Sequence, residues 1–181
     1  MVLAAKHEGR TVFVEDESTF SLTPYVTYGW YARGEEAKAI LTNRPSDRFY
    51  SFGVSNGRKE HYRFFDGRTK KKKKSSIDSR KTVVFLRYLH SKYPKLFLIW
   101  DAASSHRSKR TQNYAAMNDI RLLEFPTAIP DENPQEQAWD TVKDATGSTY
   151  FENYGAFLKA VKRESREKNL TKMFLYLSLY L

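Results

Sequence analysis

The sequence predicts an α/β fold in which a mixed sheet is flanked by helices. Three observations carry this expectation. Two continuous apolar runs, Thr11-Val12-Phe13-Val14 and Leu96-Phe97-Leu98-Ile99-Trp100, each end in acidic residues and have the uniform character of strands buried on both faces. Asn56-Gly57 lies between two β-rich segments and is a hairpin turn signal. In the second half of the chain, segments with helical spacing alternate with apolar runs.

The elements follow in order. Thr11 to Val14 reads as a buried strand with Glu15, Asp16 and Glu17 at its C-terminal end. Tyr28-Gly29-Trp30, with Arg33-Gly34 after it, reads as hairpin-like strands. Ala39 to Thr42, Phe49 to Val54 and His61 to Phe65 are further strand candidates. Polarity then rises through Arg68, the run Lys70-Lys71-Lys72-Lys73-Lys74 and Ser75-Ser76, which marks an exposed loop. From Asp78 to Tyr93, Val83, Leu86, Leu89 and Tyr93 keep helical spacing, and Pro94 stops the helix. After the second apolar run, Ser104 to Asn118 contains a helix and Ile120 to Phe125 is a strand. Pro126 to Pro130 turns the chain. Asn133 caps a helix with Pro134 at its first position. A last helix carries Phe151, Tyr154, Leu158 and Val161 on one stripe. One domain over 1–165 and a C-terminal tail or docking segment over 166–181 are expected.

Composition narrows the function. The 181 residues are 40% hydrophobic and 15% aromatic, enough to fill a core rather than leave the chain disordered. The net charge of +10 attracts polyanions such as nucleic acid. From Arg58 to Lys81, eleven Lys or Arg stand against three acids. A lysine run is ordinarily a solvated loop. Tyr62, Phe64 and Phe65 beside it make contact with a phosphate backbone an alternative, with Lys70 to Lys74 as the contacting residues. The absence of cysteine excludes disulfides, thiolate metal sites and a cysteine nucleophile. The N-terminus lacks a secretory apolar core, and the tail Met173 to Leu181 is shorter than a bilayer span. An intracellular protein with no membrane association is expected.

Two strands that each end in an aspartate place Asp16 and Asp101 in one crevice if the strands are neighbours, because ligand sites of open α/β sheets lie beyond the carboxyl ends of strands. Glu136 follows in the first turn of a helix. Clustered carboxylates repel one another, and divalent metal ions remove that penalty. Oxygen ligands suit Mg²⁺ or Mn²⁺, and two such ions serve phosphodiester chemistry. Each acid also has a local reading. Asp16 can be a solvated strand end and Asp101 a turn former. Asn133-x-x-Glu136 has capping-box spacing. His106 can be a structural or surface histidine, and Trp30 and Trp139 read as packing residues.

Four ordered blocks go beyond composition. They are Phe13-Val14-Glu15-Asp16-Glu17-Ser18; Tyr28-Gly29-Trp30 with Arg33-Gly34; Leu98-Ile99-Trp100-Asp101-Ala102-Ala103 with His106; and Pro126 to Pro130 with Asn133-Pro134-Gln135-Glu136 and Trp139. Between Asp101 and Glu136 lie 34 residues. Together these blocks resemble the DDE domain of mariner-like transposases, in particular the bacterial and archaeal insertion-sequence branch, from about Thr11 to Tyr154. The resemblance implies an RNase H-like fold, and Asp16, Asp101 and Glu136 as catalytic, metal-binding acids for two Mg²⁺ or Mn²⁺ ions. It also implies cleavage at transposon ends followed by strand transfer into target DNA, and a homodimer on DNA. It puts His106 and Asn133 near the site as accessory residues. The chain departs from the family pattern at Ala102, where Asn is usual, at Gln135, where an aliphatic residue is frequent, and in the 126–130 loop. None of these removes a metal ligand. Family members carry an N-terminal helix-turn-helix region, so a separate region or chain of that kind is an expected partner. Two other functions compete with this one: a catalytically silent DNA-binding or assembly module, and an RNase H-like nuclease acting on RNA or branched DNA.

Overall fold

The computed structural model describes residues 1–23, 25–27, 30, 32–36, 42–68, 76–125 and 133–167. Lys70 to Lys74, Pro126 to Pro130 and the tail from residue 168 onward lie outside the described residues, as do Tyr28, Gly29 and Ala39 to Leu41.

Among the described residues five strands make one sheet: β1 (Thr11–Leu22), β2 (Arg44–Ser55), β3 (Glu60–Asp66), β4 (Leu96–Trp100) and β5 (Arg121–Glu124), in the order β3-β2-β1-β4-β5. β1, β2 and β3 are antiparallel neighbours, and β1, β4 and β5 run parallel. The sheet is therefore mixed, as expected. The β2–β3 hairpin turns at Asn56-Gly57, where Gly57 takes the left-handed conformation (φ +77°). The Asn56 side chain accepts hydrogen bonds from the Arg58 and Lys59 N–H groups. All five residues of β4 are buried, which explains its unbroken apolar run.

Among the described residues six helices flank the sheet: α1 (Val2–His7), α2 (Ser79–His90), α3 (Ser104–Arg107), α4 (Lys109–Met117), α5 (Pro134–Thr146) and α6 (Tyr154–Glu167). Side chains alternate across a strand. Phe13, Phe52, Val54, Leu96, Leu98 and Trp100 therefore pack on one face with Phe85, Leu86 and Leu89 of α2 and Ala115 of α4. Val12, Val14, Phe97 and Ile99 pack on the other, with Ala5 of α1 and Ala138 of α5. Further along that second face, Phe20, Leu22 and Phe49 meet Trp139 and Val142 of α5 and Phe157 and Val161 of α6.

Several elements differ from the sequence expectation. β1 does not stop at its acids but continues to Leu22, because β2 pairs with it from Val14 through Leu22. The acids interrupt the apolar pattern without interrupting the hydrogen-bond ladder. Of the expected strands between Thr27 and Thr42, the described residues Thr27, Trp30, Ala32 to Gly34 and Thr42 are not in strands. Trp30 is fully exposed instead of packed, since it lies off the sheet in the β1–β2 connection. The buried stripe of α2 is Thr82, Phe85, Leu86 and Leu89, rotated from the expected one by the bulk of Phe85. The N-terminal α1 is additional to the expected elements. In α6, Phe157 is buried together with Val161, while Tyr154 and Leu158 are partly buried beside them. The helix also runs to Glu167, past the expected start of the tail.

Candidate active site

β1 and β4 are paired in parallel with Val14 opposite Ile99. Asp16 lies two residues beyond Val14, and Asp101 two beyond Ile99, so the strands bring both aspartates to the same level. Asp16 shares the parity of Val12 and Val14 and points to the face that α5 covers. The charges of Glu17, Asp101 and Glu136 all act on it. Burial and those neighbouring carboxylates push Asp16 up to about 8. Asp101, just past the end of β4, is about half exposed, and Glu136 is exposed. The structure thus brings Asp16 and Asp101 to one level of the sheet, with Glu136 near enough for its charge to act on Asp16. Among the described residues these three acids do not form a group with ligand atoms within 4.8 Å of one another, whereas Glu15, Glu17 and His106 do.

The position of α5 follows from two local features. Asn133 caps it, its side-chain oxygen accepting from the Gln135 N–H at 3.0 Å. The same side chain donates through Nδ2 to the Glu15 carbonyl at 3.4 Å, tying the helix start to β1 beside Asp16. Gly53, the β2 partner of Asp16, supplies the second feature. A Cβ there would lie 2.6 Å from Trp139 Cζ2 and 2.8 Å from Gln135 Nε2. Only a glycine lets the first two turns of α5 come this close to the sheet. Trp139 is buried, as its reading as a packing residue requires. Among the described residues no hydrogen bond returns the Glu136 carboxylate to the cap backbone. Its N–H donates to Asn133 O at 3.0 Å and its side chain stays outward.

His106 stands behind Asp101. Its ring is fully buried and stacked on Trp100, with centroids 4.1 Å apart and planes 4° from parallel. Nδ1 lies 2.8 Å from Asp101 Oδ1. The same oxygen accepts from the Ala103 N–H at 2.9 Å. Both donors converge on Oδ1, so the carboxylate is held in one orientation with Oδ2 turned from them. On its other side, Nε2 is 3.1 Å from Glu17 Oε1 and 3.4 Å from Glu15 Oε2. Burial opposes a charge on His106, but its hydrogen bonds to Asp101 and Glu17 and the field of Glu15 outweigh burial and push it up to about 11. Asp101 is held below its ordinary range chiefly by the His106 hydrogen bond. Glu15, wholly buried opposite Val54, is driven well above the carboxylate range by burial and then by the charge of Glu17.

The sequence profile described as "DDE superfamily endonuclease" matches residues 11–158. The chain belongs to the DDE superfamily of endonucleases. No curated protein sequence matches it significantly. Among solved structures, this DDE domain is similar to a "Mos1 transposase paired-end complex with left transposon end", with a TM-score of 0.67 at 15% identity over 98% of this chain and 56% of that one. It is equally similar to the "Mos1 mariner paired end complex with Mn", with a TM-score of 0.67 at 16% identity over 98% and 56%. The isolated "Mos1 transposase catalytic domain and Raltegravir with Mn" matches with a TM-score of 0.65 at 13% identity, over 98% of this chain and 84% of that one. At these identities the likeness is one of fold, and the fold is RNase H-like. The chain spans 56% of the transposase chains in the two complexes.

Within the DDE domain, Glu15 and Glu17 are the site-proximal residues that the sequence reading passed over. Both flank Asp16 but project to the opposite face, toward Trp100 and His106. The signal for them was the strand period itself. Once β1 is extended through residue 17, alternation sends 15 and 17 to one side and 16 to the other. No helix among the described residues is long and apolar enough to cross a membrane.

Proposed function

We propose that this DDE domain is the catalytic part of a DNA transposase of the mariner-like type, related to the bacterial and archaeal insertion-sequence branch. It would cut phosphodiester bonds at transposon ends and join the freed ends to target DNA. The observation that supports this reading is the level shared by Asp16 and Asp101 on neighbouring parallel strands, where burial first and then the charges of Glu17, Asp101 and Glu136 raise the proton affinity of Asp16. Carboxylates gathered in this way favour a cation, and an all-oxygen set of three acids fits Mg²⁺ or Mn²⁺. When bound, two such ions activate the attacking oxygen and stabilise the leaving oxygen of a phosphodiester.

The residues of the chain divide the remaining work. Asp16, Asp101 and Glu136 hold the cations. His106 and the Ala103 N–H fix Asp101 through Oδ1 and leave Oδ2 outside both of these contacts. Asn133 anchors the start of α5 to β1 and so sets the height of Glu136 over Asp16. Lys70 to Lys74 contact the DNA backbone. Transposon ends and target DNA are the partners, bound by a homodimer, and a helix-turn-helix region or chain supplies recognition of the ends. The setting is intracellular. The Mos1 structures that resemble this fold contain transposon-end DNA in one case and Mn in others, in keeping with both assignments.

Supercoiled plasmid incubated with Mn²⁺ tests the chemistry. Nicking that needs the metal and disappears in Asp101→Asn is the expected result. Undiminished nicking by that variant contradicts the assignment. DNA binding with no cleavage in any metal identifies a silent assembly module. Cleavage of RNA or branched DNA without joining identifies a nuclease.

A further inference from the structure

The face of β1 opposite Asp16 holds a second group of ligand-type side chains. Glu15, Glu17 and His106 each offer one ligand atom, and these atoms lie within 4.8 Å of one another. The residues are almost completely enclosed, with side-chain exposures of 1%, 6% and 0%. Neither oxygen of Glu15 has a hydrogen-bond partner, although both are buried. An enclosed carboxyl whose one polar neighbour is His106 Nε2 at 3.4 Å is costly, and such groups are rare enough to call for something that completes them.

The imidazole is set up as a ligand. Nδ1 faces the Asp101 carboxylate and carbonyl, and Nε2 faces the two glutamates, so a cation that displaced the Nε2 proton would meet all three ligand atoms. A carboxylate behind a ligating histidine is the usual support for metal-bound imidazole. Trp100 stacks along the ring, and the side chain of Gln112 donates to the His106 carbonyl at 2.8 Å, so the ring has little freedom to turn away. The spacings also suit a cation. Ligands about 2.1 Å from a common ion stand about 3.0–3.4 Å apart in octahedral or tetrahedral geometry. Nε2 lies 3.1 Å from Glu17 Oε1 and 3.4 Å from Glu15 Oε2.

We propose that Glu15, Glu17 and the Nε2 atom of His106 form a buried structural site for a first-row divalent cation of the Mn²⁺ to Zn²⁺ class, separate from the acids on the other face. One imidazole nitrogen with two carboxylate oxygens favours this class over Mg²⁺ or Ca²⁺. Enclosure means that the ion enters as the chain folds and exchanges slowly. Its place in the molecule is support: it braces β1 against the β4–α3 corner, immediately behind Asp101. The proposal does not rest on the transposase reading and stands or falls apart from it.

The test uses the full chain with Asp16→Asn and Glu136→Gln, which strips the opposite face of two acids. After refolding with Zn²⁺ and exhaustive dialysis, this protein retains one equivalent of zinc by elemental analysis. Replacing zinc with Co²⁺ gives the visible absorption of a nitrogen-ligated ion. Adding Glu15→Gln weakens zinc binding at least about tenfold, and adding His106→Gln removes the cobalt absorption. Glu15→Gln keeps the side-chain shape and stays uncharged in the buried position, so it should fold without metal and remain informative if His106→Gln does not fold. Zinc retention that is unchanged by Glu15→Gln means adventitious surface binding and overturns the proposal. Failure of the parent double variant to retain any zinc overturns it as well, leaving a protonated His106 as the counter-charge to the two glutamates.

Discussion

Asp16→Asn in the metal-free protein tests the electrostatic argument most directly. Asp16 is pushed from an ordinary 3.8 up to about 8 by burial and by Glu17, Asp101 and Glu136. Between those two values the folded state keeps a proton that the unfolded chain has released. Folding therefore takes up a proton across this window. The associated stability is fully present below pH 3.8 and is lost progressively as pH rises to about 8. At pH 7 the loss reaches roughly 4 kcal/mol, at about 1.4 kcal/mol for each pH unit. Asparagine removes the charge but leaves a buried amide, which costs about 1–3 kcal/mol. The variant should then be more stable than the parent at pH 7–8 by about 1–3 kcal/mol, and no more stable near pH 4. Urea unfolding with a chelator present, repeated across this pH range, measures both curves. Their crossing is the expected result. Groups on which the Asp16 charge does not act titrate alike in both proteins and cancel in the difference, while Glu15, on which it does act, changes the difference in the same direction. A constant offset between the curves at every pH would refute the reasoning, because Asp16 would then carry no unusual proton affinity. Adding Mg²⁺ or Mn²⁺ should restore the parent at pH 8 and leave the variant almost unchanged.

Gly53→Ala should destabilise the fold by about 1–3 kcal/mol, read by urea unfolding, because the new methyl collides with the buried ring of Trp139. The same variant should lose nicking activity even where it remains folded, since α5 carries Glu136 and must move off the sheet. Trp139→Ala should cost about 3–5 kcal/mol by the same measurement, through the cavity left among Phe20, Tyr62 and Val142. Neutralising Lys70 to Lys74 together should weaken DNA binding alike for all sequences and flatten its dependence on salt by about 0.9 for each phosphate no longer neutralised. An unchanged salt slope in a fluorescence titration would remove those lysines from the interface.

Much of the fold was legible because the relevant signals are local. Leu96 to Trp100 announced a doubly covered strand, Asn56-Gly57 a hairpin, and Asn133-Pro134 a helix start, and each is present. The misses have a common origin. Hydropathy ends β1 at its first acids, because it cannot show that β2 pairs through them to Leu22. Trp30 was read as packed because its size argues for burial, whereas the chain there has left the sheet. The α2 stripe was displaced because Thr82, a polar residue, is buried by position and Phe85 shares its face. For the site, the sequence spacing indicated which acids to examine. It could not show that His106 reaches Asp101 with one nitrogen and two glutamates with the other, since that depends on how α3 turns back over the end of β4.

The local and functional readings of Asn133 and Glu136 are not rivals. A capping box would satisfy the helix start with both side chains and leave Glu136 occupied. In the structure Asn133 caps alone, and with the same amide it grips the carbonyl of the residue before Asp16. Its cap therefore also positions the site, because the bond that starts α5 fixes where α5 begins relative to β1. Glu136, relieved of capping, sits exposed in the first turn, and its charge is felt at Asp16. An acid there gains from the helix N-terminus as well, since unpaired N–H groups favour negative charge. Asn133→Ala should thus do two things that a simple cap loss would not. Beyond the usual cost of about 1 kcal/mol for a lost cap, it should lower metal-dependent nicking at saturating metal. Asn133→Asp keeps the cap but cannot donate to the Glu15 carbonyl, and should recover stability without recovering activity. Recovery of both by aspartate would show that the cap alone matters.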